Sequence, residues 1–135
     1  KVGVVPMSAN ITRIDLSPDQ NQLVGENNDA KDVWLFDLPR GTASRLTFDP
    51  AEDGYPVFSK DGKQIAFVSD RGGAWGLYLK AASGIGTEEL LYKGAQNYSD
   101  WAPDGKTLLM RLQYPETGND IYALPMTGDR KPYPS

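Results

Sequence analysis

Ser59-Lys60-Asp61-Gly62-Lys63-Gln64-Ile65-Ala66-Phe67 returns later in the chain as Ala102-Pro103-Asp104-Gly105-Lys106-Thr107-Leu108-Leu109. A weaker copy, Leu16-Ser17-Pro18-Asp19, precedes both. The aspartates Asp19, Asp61 and Asp104 stand 42 and 43 residues apart. Downstream of each copy lies a second shared stretch: Asp32-Val33-Trp34-Leu35-Phe36, Gly76-Leu77-Tyr78-Leu79 and Asp120-Ile121-Tyr122-Ala123-Leu124. A third follows as Arg45-Leu46-Thr47, Glu89-Leu90-Leu91 and Lys131-Pro132-Tyr133. A period of roughly 40–45 residues with four short strands per copy is the signature of propeller blades. The expected fold class is all-β, with three four-stranded antiparallel propeller blades.

Runs of Val, Ile, Leu, Phe, Tyr and Trp place the strands. The first copy reads as Ile11–Leu16, Asn21–Gly25, Asp32–Asp37 and Ser44–Phe48. The second reads as Tyr55–Ser59, Gln64–Ser69, Gly76–Ala81 and Glu88–Lys93. The third reads as Tyr98–Ala102, Thr107–Gln113, Asp120–Pro125 and Arg130–Tyr133, the last weakened by Pro132 and Pro134. The blades therefore span about residues 11–48, 55–93 and 98–135 of one propeller unit covering 1–135. Residues 1–10, with Val2-Gly3-Val4-Val5, are expected to supply a closing strand.

Turn chemistry supports these strands. Ser59-Lys60-Asp61-Gly62 and Ala102-Pro103-Asp104-Gly105 are tight turns, in which Asp bonds back to the local backbone and Gly supplies φ > 0. Gln20 stands where the other copies have Gly, and a left-handed Gln20 costs about 1 kcal/mol. Both faces of the strands are apolar: Ile65 and Phe67 point one way, Ala66 and Val68 the other. Leu108, Met110 and Leu112 oppose Leu109, and Arg111 alone interrupts that side. Sheets apolar on both faces need neighbours on both faces. Packed blades satisfy this, whereas an Ig-like sandwich, the alternative with a similar strand count, gives no reason for the repeat.

Composition excludes several function classes. The 135 residues carry a net charge of −4, and the pI is about 4.7. A nucleic-acid partner would demand a basic surface, so none is expected. No apolar run approaches the roughly 18–20 residues of a membrane span. The chain has neither cysteine nor histidine, which removes thiolate metal sites, the commonest metal ligand and the usual general base. It opens at Lys1 without a signal-peptide pattern, which reads as a processed chain or a piece of a longer one.

Each chemical candidate has a plainer explanation. Asp49-Pro50-Ala51-Glu52-Asp53-Gly54 shares the Asp, Asp and Gly positions of a calcium loop, but Ala51 and Lys60 occupy ligand positions, so it reads as a blade connection. Ser83-Gly84-Ile85-Gly86 lacks the remaining glycines and the lysine of a phosphate cradle and reads as a hairpin turn. Glu88 and Glu89 are adjacent on a strand, point to opposite faces, and are not a catalytic pair. Trp34 aligns with Tyr78 and Tyr122, and Trp101 with Phe58, so repeat symmetry makes both structural. Trp75 ends a loop and is a candidate for recognition. With Asp53, Tyr55, Tyr98 and Asp100 it makes up the expected partner-binding rim beside the connections Phe48–Gly54 and Tyr92–Asn97.

The Ser/Ala, Pro/Lys, Asp, Gly, Lys-x-Ile/Leu pattern, with Asp70-Arg71-Gly72-Gly73 ahead of Leu77-Tyr78, resembles the TolB-type, WD-like propeller repeat over about residues 11–135. Asp32–Leu38 followed by Arg45–Pro50 looks most like the propeller domains of bacterial serine/threonine kinases. The resemblance implies a propeller that binds, gates or scaffolds while any catalysis lies in another domain, and it leans towards a bacterial periplasmic home. Family propellers have six or more blades, and this chain has three, half of a six-bladed ring. Two open apolar faces would exceed what soluble monomers usually expose, so a second copy closing the ring as a homodimer is expected. The expected function is a non-catalytic binding or scaffold module without cofactor or metal. Its partners would be itself and a protein or small ligand. The alternative is the propeller part of a larger enzyme, a peptidase relative or a kinase sensor arm.

Overall fold

The computed structural model describes residues 10–95, 99–114 and 118–135. The first blade comprises β1 (Ile11–Leu16), β2 (Gln22–Asn27), β3 (Asp32–Asp37) and β4 (Thr42–Arg45). The second comprises β5 (Asp53–Phe58), β6 (Gln64–Ser69), β7 (Gly76–Ala81) and β8 (Glu89–Lys93). The third comprises β9 (Ser99–Trp101), β10 (Thr107–Tyr114), β11 (Gly118–Pro125) and β12 (Tyr133–Pro134). Each is an antiparallel sheet in simple chain order. The only helical turn among the described residues is a 3-10 turn at Arg71–Gly73. No helix among them is long and apolar enough to cross a membrane.

The tight turns carry the expected chemistry. Asp61 Oδ1 accepts from Ser59 Oγ at 2.7 Å and from the Lys63 N–H at 2.9 Å. Asp19 repeats this with Ser17 and Asn21. The serine hydroxyl, then the backbone donor, hold both carboxyls below their ordinary range. Gln20 is left-handed, at φ 64°.

Directly opposed residues share a face, so register sorts each blade into two. One face, here the leading face, turns towards the next blade in chain order. In blade 1 it holds Asp15, Val24, Glu26, Val33 and Leu35. In blade 2 the equivalents are Val57, Ala66, Val68, Leu77 and Leu79. The trailing face of blade 2 carries Phe58, Ile65 and Phe67, and that of blade 3 carries Trp101, Leu108 and Met110. Two cores result, one per seam. Val24, Val33 and Leu46 meet Phe58, Ile65 and Phe67 between blades 1 and 2. Val57, Ala66, Val68, Leu77 and Leu79 meet Trp101, Leu108, Met110 and Leu124 between blades 2 and 3. Ile65, Ala66, Phe67 and Val68 are all 0% exposed, so β6 is buried on both faces.

Two outer strands depart from the sequence expectation. The fourth strand of blade 1 is Thr42–Arg45 rather than Ser44–Phe48. Its four residues are exposed, as an edge strand's are, while Leu46 turns into the core at 2% exposure and Phe48 stays 66% exposed. Leu46 and Thr47 both direct their N–H groups at the Val33 carbonyl, which ends the ladder. The apolar run therefore marks where the strand leaves the sheet. The last strand begins at Tyr133 rather than Arg130, because Gly128 and Arg130 adopt positive φ in the preceding turn. The expected closing strand within residues 1–10 lies outside the described residues, apart from Asn10.

Candidate functional site

β1, β5 and β9 are the innermost strands. Topology places the β4–β5 connection and the β2–β3 and β6–β7 loops at one end of the blades, with the tight turns at the other. The loop end holds the candidate site. Both described innermost strands that reach it carry a β-bulge, between Thr12 and Asp15 in β1 and between Gly54 and Val57 in β5. At the bulges Arg13 and Tyr55 adopt φ of 49° and 53°. These residues are repeat equivalents. A bulge re-aims one side chain, and left-handed backbone at a non-glycine residue persists only where its surroundings hold it.

The surroundings here are a closed set of contacts across the seam. The Arg13 guanidinium lies 4.5 Å over the Tyr55 ring and donates to Glu26 Oε2 at 3.0 Å. Glu26 Oε1 accepts the Tyr55 N–H at 3.0 Å. Glu26 is 7% exposed, so its charge needs these partners. A Cβ at Gly54 would overlap the Glu26 carboxylate, which is why glycine precedes Tyr55.

A second ionic cluster lies behind this set. Arg71 donates to Asp53 Oδ1 at 3.1 Å, stands 3.4 Å from Glu88 Oε1, and lies 4.9 Å over the Tyr78 ring. Lys80 Nζ donates to the Leu46 carbonyl at 2.7 Å and stands 3.6 Å from Glu88. Burial pushes the Asp53 carboxyl up, against the pull of Ser69, Thr47 and Arg71. Burial also works on Glu88, but its backbone hydrogen bond, Lys80 and Arg71 together hold it below the ordinary range. The cluster ties the end of blade 1 to the trailing face of blade 2.

The five expected rim residues divide accordingly. Tyr55 and Trp75 line one groove of about 320 Å³, together with Arg13, Lys31 and Glu52. Asp53 borders the same groove, but it is 3% exposed and committed to Arg71, so it supports the floor instead of offering a contact. Asp100 is exposed and lines a neighbouring groove of about 320 Å³ on the axis, with Asp15, Ser99, Arg13 and Tyr55. Tyr98 lies outside the described residues. Arg13, Glu26 and Arg71 were not singled out from sequence. Arg13 had a signal, since it falls at the repeat position of Tyr55.

The grooves combine two aromatic side chains with cations and carboxylates. Such a surface can stack, hydrogen-bond and pair charges with a polar ligand. Among the described residues no three His, Cys, Asp or Glu side chains group to hold a metal ion.

Comparison with known proteins agrees with this architecture. The family profile of the TolB beta propeller domain matches residues 8–129. Tol-Pal system protein TolB of Helicobacter pylori is 36% identical over 96 residues, 69% of this chain and 23% of that protein. Tricorn protease homolog 1 of Streptomyces coelicolor is 31% identical over 81 residues, 58% of this chain and 8% of that protein. The crystal structure of TolB from Acinetobacter baumannii superposes with a TM-score of 0.78 at 22% identity, covering 93% of this chain and 32% of that one. The chain thus spans less than a quarter of the curated TolB proteins it matches and about a third of the solved one. With a matching profile over nearly its whole length and the blades that profile implies, the chain belongs to the TolB β-propeller family.

Proposed function

We propose that this chain is a non-catalytic binding and scaffold module, one three-blade unit whose open faces close a propeller ring. The observation that carries this is the pair of seams built by one rule, leading face on trailing face, which leaves one face of each kind uncovered by described strands. The leading face of blade 3 carries Leu109 and Ile121 across β10 and β11, with Ile121 48% and the neighbouring Tyr133 51% exposed, beside a buried Ala123. The trailing face of blade 1 carries Leu16, Leu23 and Trp34, with Leu16 45% exposed, around a buried Phe36. A second copy supplies the complementary face at each end, so two copies related by a two-fold axis give a six-bladed homodimer. The loop-end grooves at Tyr55, Trp75 and Asp100 are its ligand rim, facing a protein or small polar ligand. The absence of histidine and cysteine supports a binding role over a catalytic one.

Light scattering tests the assembly. A species of twice 14.8 kDa is expected; a well-behaved monomer at tens of micromolar would refute closure by dimerisation. A second reading follows from the small share of its relatives that the chain spans, and from the protease homologue among them. On that reading the remaining blades, and an enzymatic domain, belong to the same longer polypeptide. The full reading frame separates the two.

A further inference from the structure

At the end of the blades opposite the loop-end grooves, the tight turns of blades 2 and 3 border a further groove of about 350 Å³. The same stretch of the first seam is its internal control. Turn stacks on turn alike at both seams: a Cβ on Gly62 would come 3.4 Å from Pro18 Cδ, and one on Gly105 would come 3.3 Å from Lys60 Cβ. Five lining residues, Ser59, Asp61, Gln64, Asp104 and Gly105, repeat the residue types of Ser17, Asp19, Gln22, Asp61 and Gly62 at the first seam. The other two differ. Lys60 stands where the first seam has Pro18, and Trp101 where it has Phe58. Both differences put an N–H donor on the groove where the first seam has none.

Neither donor is spent inside the molecule. The Trp101 indole Nε1 is buried and meets no acceptor among the described residues. The Trp34 indole, by contrast, donates to Asp32 Oδ1 at 2.9 Å. Buried donors are seldom left unpaired, so each instance calls for an explanation. Lys60 forms no ion pair among the described residues, and Asp15 feels its charge only at longer range. Lys60 and Gln64 are both exposed, so their side chains can make way for a ligand. The groove also holds acceptors. Asp61 spends Oδ1 on Ser59 and Lys63, and Asp104 spends Oδ1 on the Lys106 N–H at 2.9 Å, which leaves the second oxygen of each.

We propose that this groove binds a neutral polyhydroxylated ligand, a sugar, through the Trp101 indole N–H, the Lys60 ammonium and the turn carboxylates Asp61 and Asp104. A hydroxyl both donates and accepts, so one sugar ring answers the two donors and the two carboxylates together. A cation would offer no acceptor to Trp101 or Lys60. Two carboxylates against one ammonium disfavour an anion. The site lies between two blades that are each complete, so it does not depend on how the ring is closed.

Heteronuclear NMR on the whole chain tests this. The three tryptophans give three indole N–H signals, and Trp101→Phe, which restores the residue of the first seam, identifies one of them by its loss. Glucose, galactose and N-acetylglucosamine are the probes, each titrated to about 100 mM, well above an expected Kd on the order of 1 mM. At least one should shift the Trp101 indole signal and the Gly105 amide saturably while the Trp34 indole stays in place. Read at the Gly105 amide, Trp101→Phe should weaken binding at least ~5-fold. Lys60→Ala, at an exposed turn position, should do the same and keeps the test if Trp101→Phe disturbs the seam. No saturable shift of the Trp101 signal with any of the three sugars would overturn the proposal, as would equal affinity in wild type and both variants. A response to glycine alone would mark a zwitterion site instead, and sugar shifts confined to the Trp75 indole would move the sugar to the loop-end groove; either would overturn it too.

Discussion

Phe58 is the side chain on which the first seam turns. It is 4% exposed and packs with Val24, Val33, Ile65, Phe67 and Ala82 from two blades. Phe58→Ala removes the ring from a site whose walls are strands fixed by their own ladders, so the cavity cannot collapse. A large core aromatic truncated in such a place costs about 3–5 kcal/mol, the lost transfer energy plus the cavity. Against a total stability of roughly 5–15 kcal/mol this is about a fifth or more of what holds a small domain folded. The assay is urea unfolding at one fixed protein concentration, because self-association would otherwise shift the midpoint. Trp101→Ala, at the equivalent place in the second seam and 5% exposed, should behave alike. Ile85→Ala, at 79% exposure, is the control and should stay within about 0.5 kcal/mol. A loss under ~1 kcal/mol for Phe58→Ala would show that leading and trailing faces have been assigned wrongly.

Gln20→Gly should stabilise by up to about 1 kcal/mol in the same melts, since the left-handed backbone at φ 64° is costly with a side chain. Gly54→Ala should destabilise by more than ~1 kcal/mol, because its methyl would displace the buried Glu26 carboxylate from the Tyr55 N–H. Glu88 gives a pH signature. Its folded pKa lies below its ordinary 4.5, so its contribution is present above that value and lost as pH falls through the folded pKa. The gap in urea midpoint between wild type and Glu88→Gln should be widest near about pH 6 and close as the solution is acidified. Asp53 has the opposite sign. Its raised folded pKa means that stability falls as pH rises from 3.8 through the folded value, so Asp53 cannot produce the acid loss assigned to Glu88.

The repeat carried the fold into plain view. Asp61-Gly62 and Asp104-Gly105 marked the turns, and the doubly apolar stretch Ile65–Val68 marked a strand buried on both faces. What stayed hidden was less periodic. The bulges at Arg13 and Tyr55 insert a residue without changing composition, so no pattern of side chains announces them. Asp53 reads as a loop carboxylate because its partner, Arg71, is 18 residues away on another loop. The outer strand Thr42–Arg45 is polar because an edge faces water, and the neighbouring apolar Leu46-Thr47-Phe48 drew the expected strand towards itself. Trp75 and Tyr55 stood out in the sequence as aromatics beside turn signals, and the structure puts both on one groove while packing them against the core of the second seam. Glu26, their buried support, looked like any acidic residue ahead of a loop.

Small-angle X-ray scattering over a concentration series measures the ring most directly. Closure by a second copy brings 270 residues into one compact particle, for which a radius of gyration of about 18 Å is expected. The forward scattering should rise to twice the mass of the 14.8 kDa chain as concentration increases. A radius near ~14 Å, that of a compact 135-residue monomer, at every concentration would contradict the account.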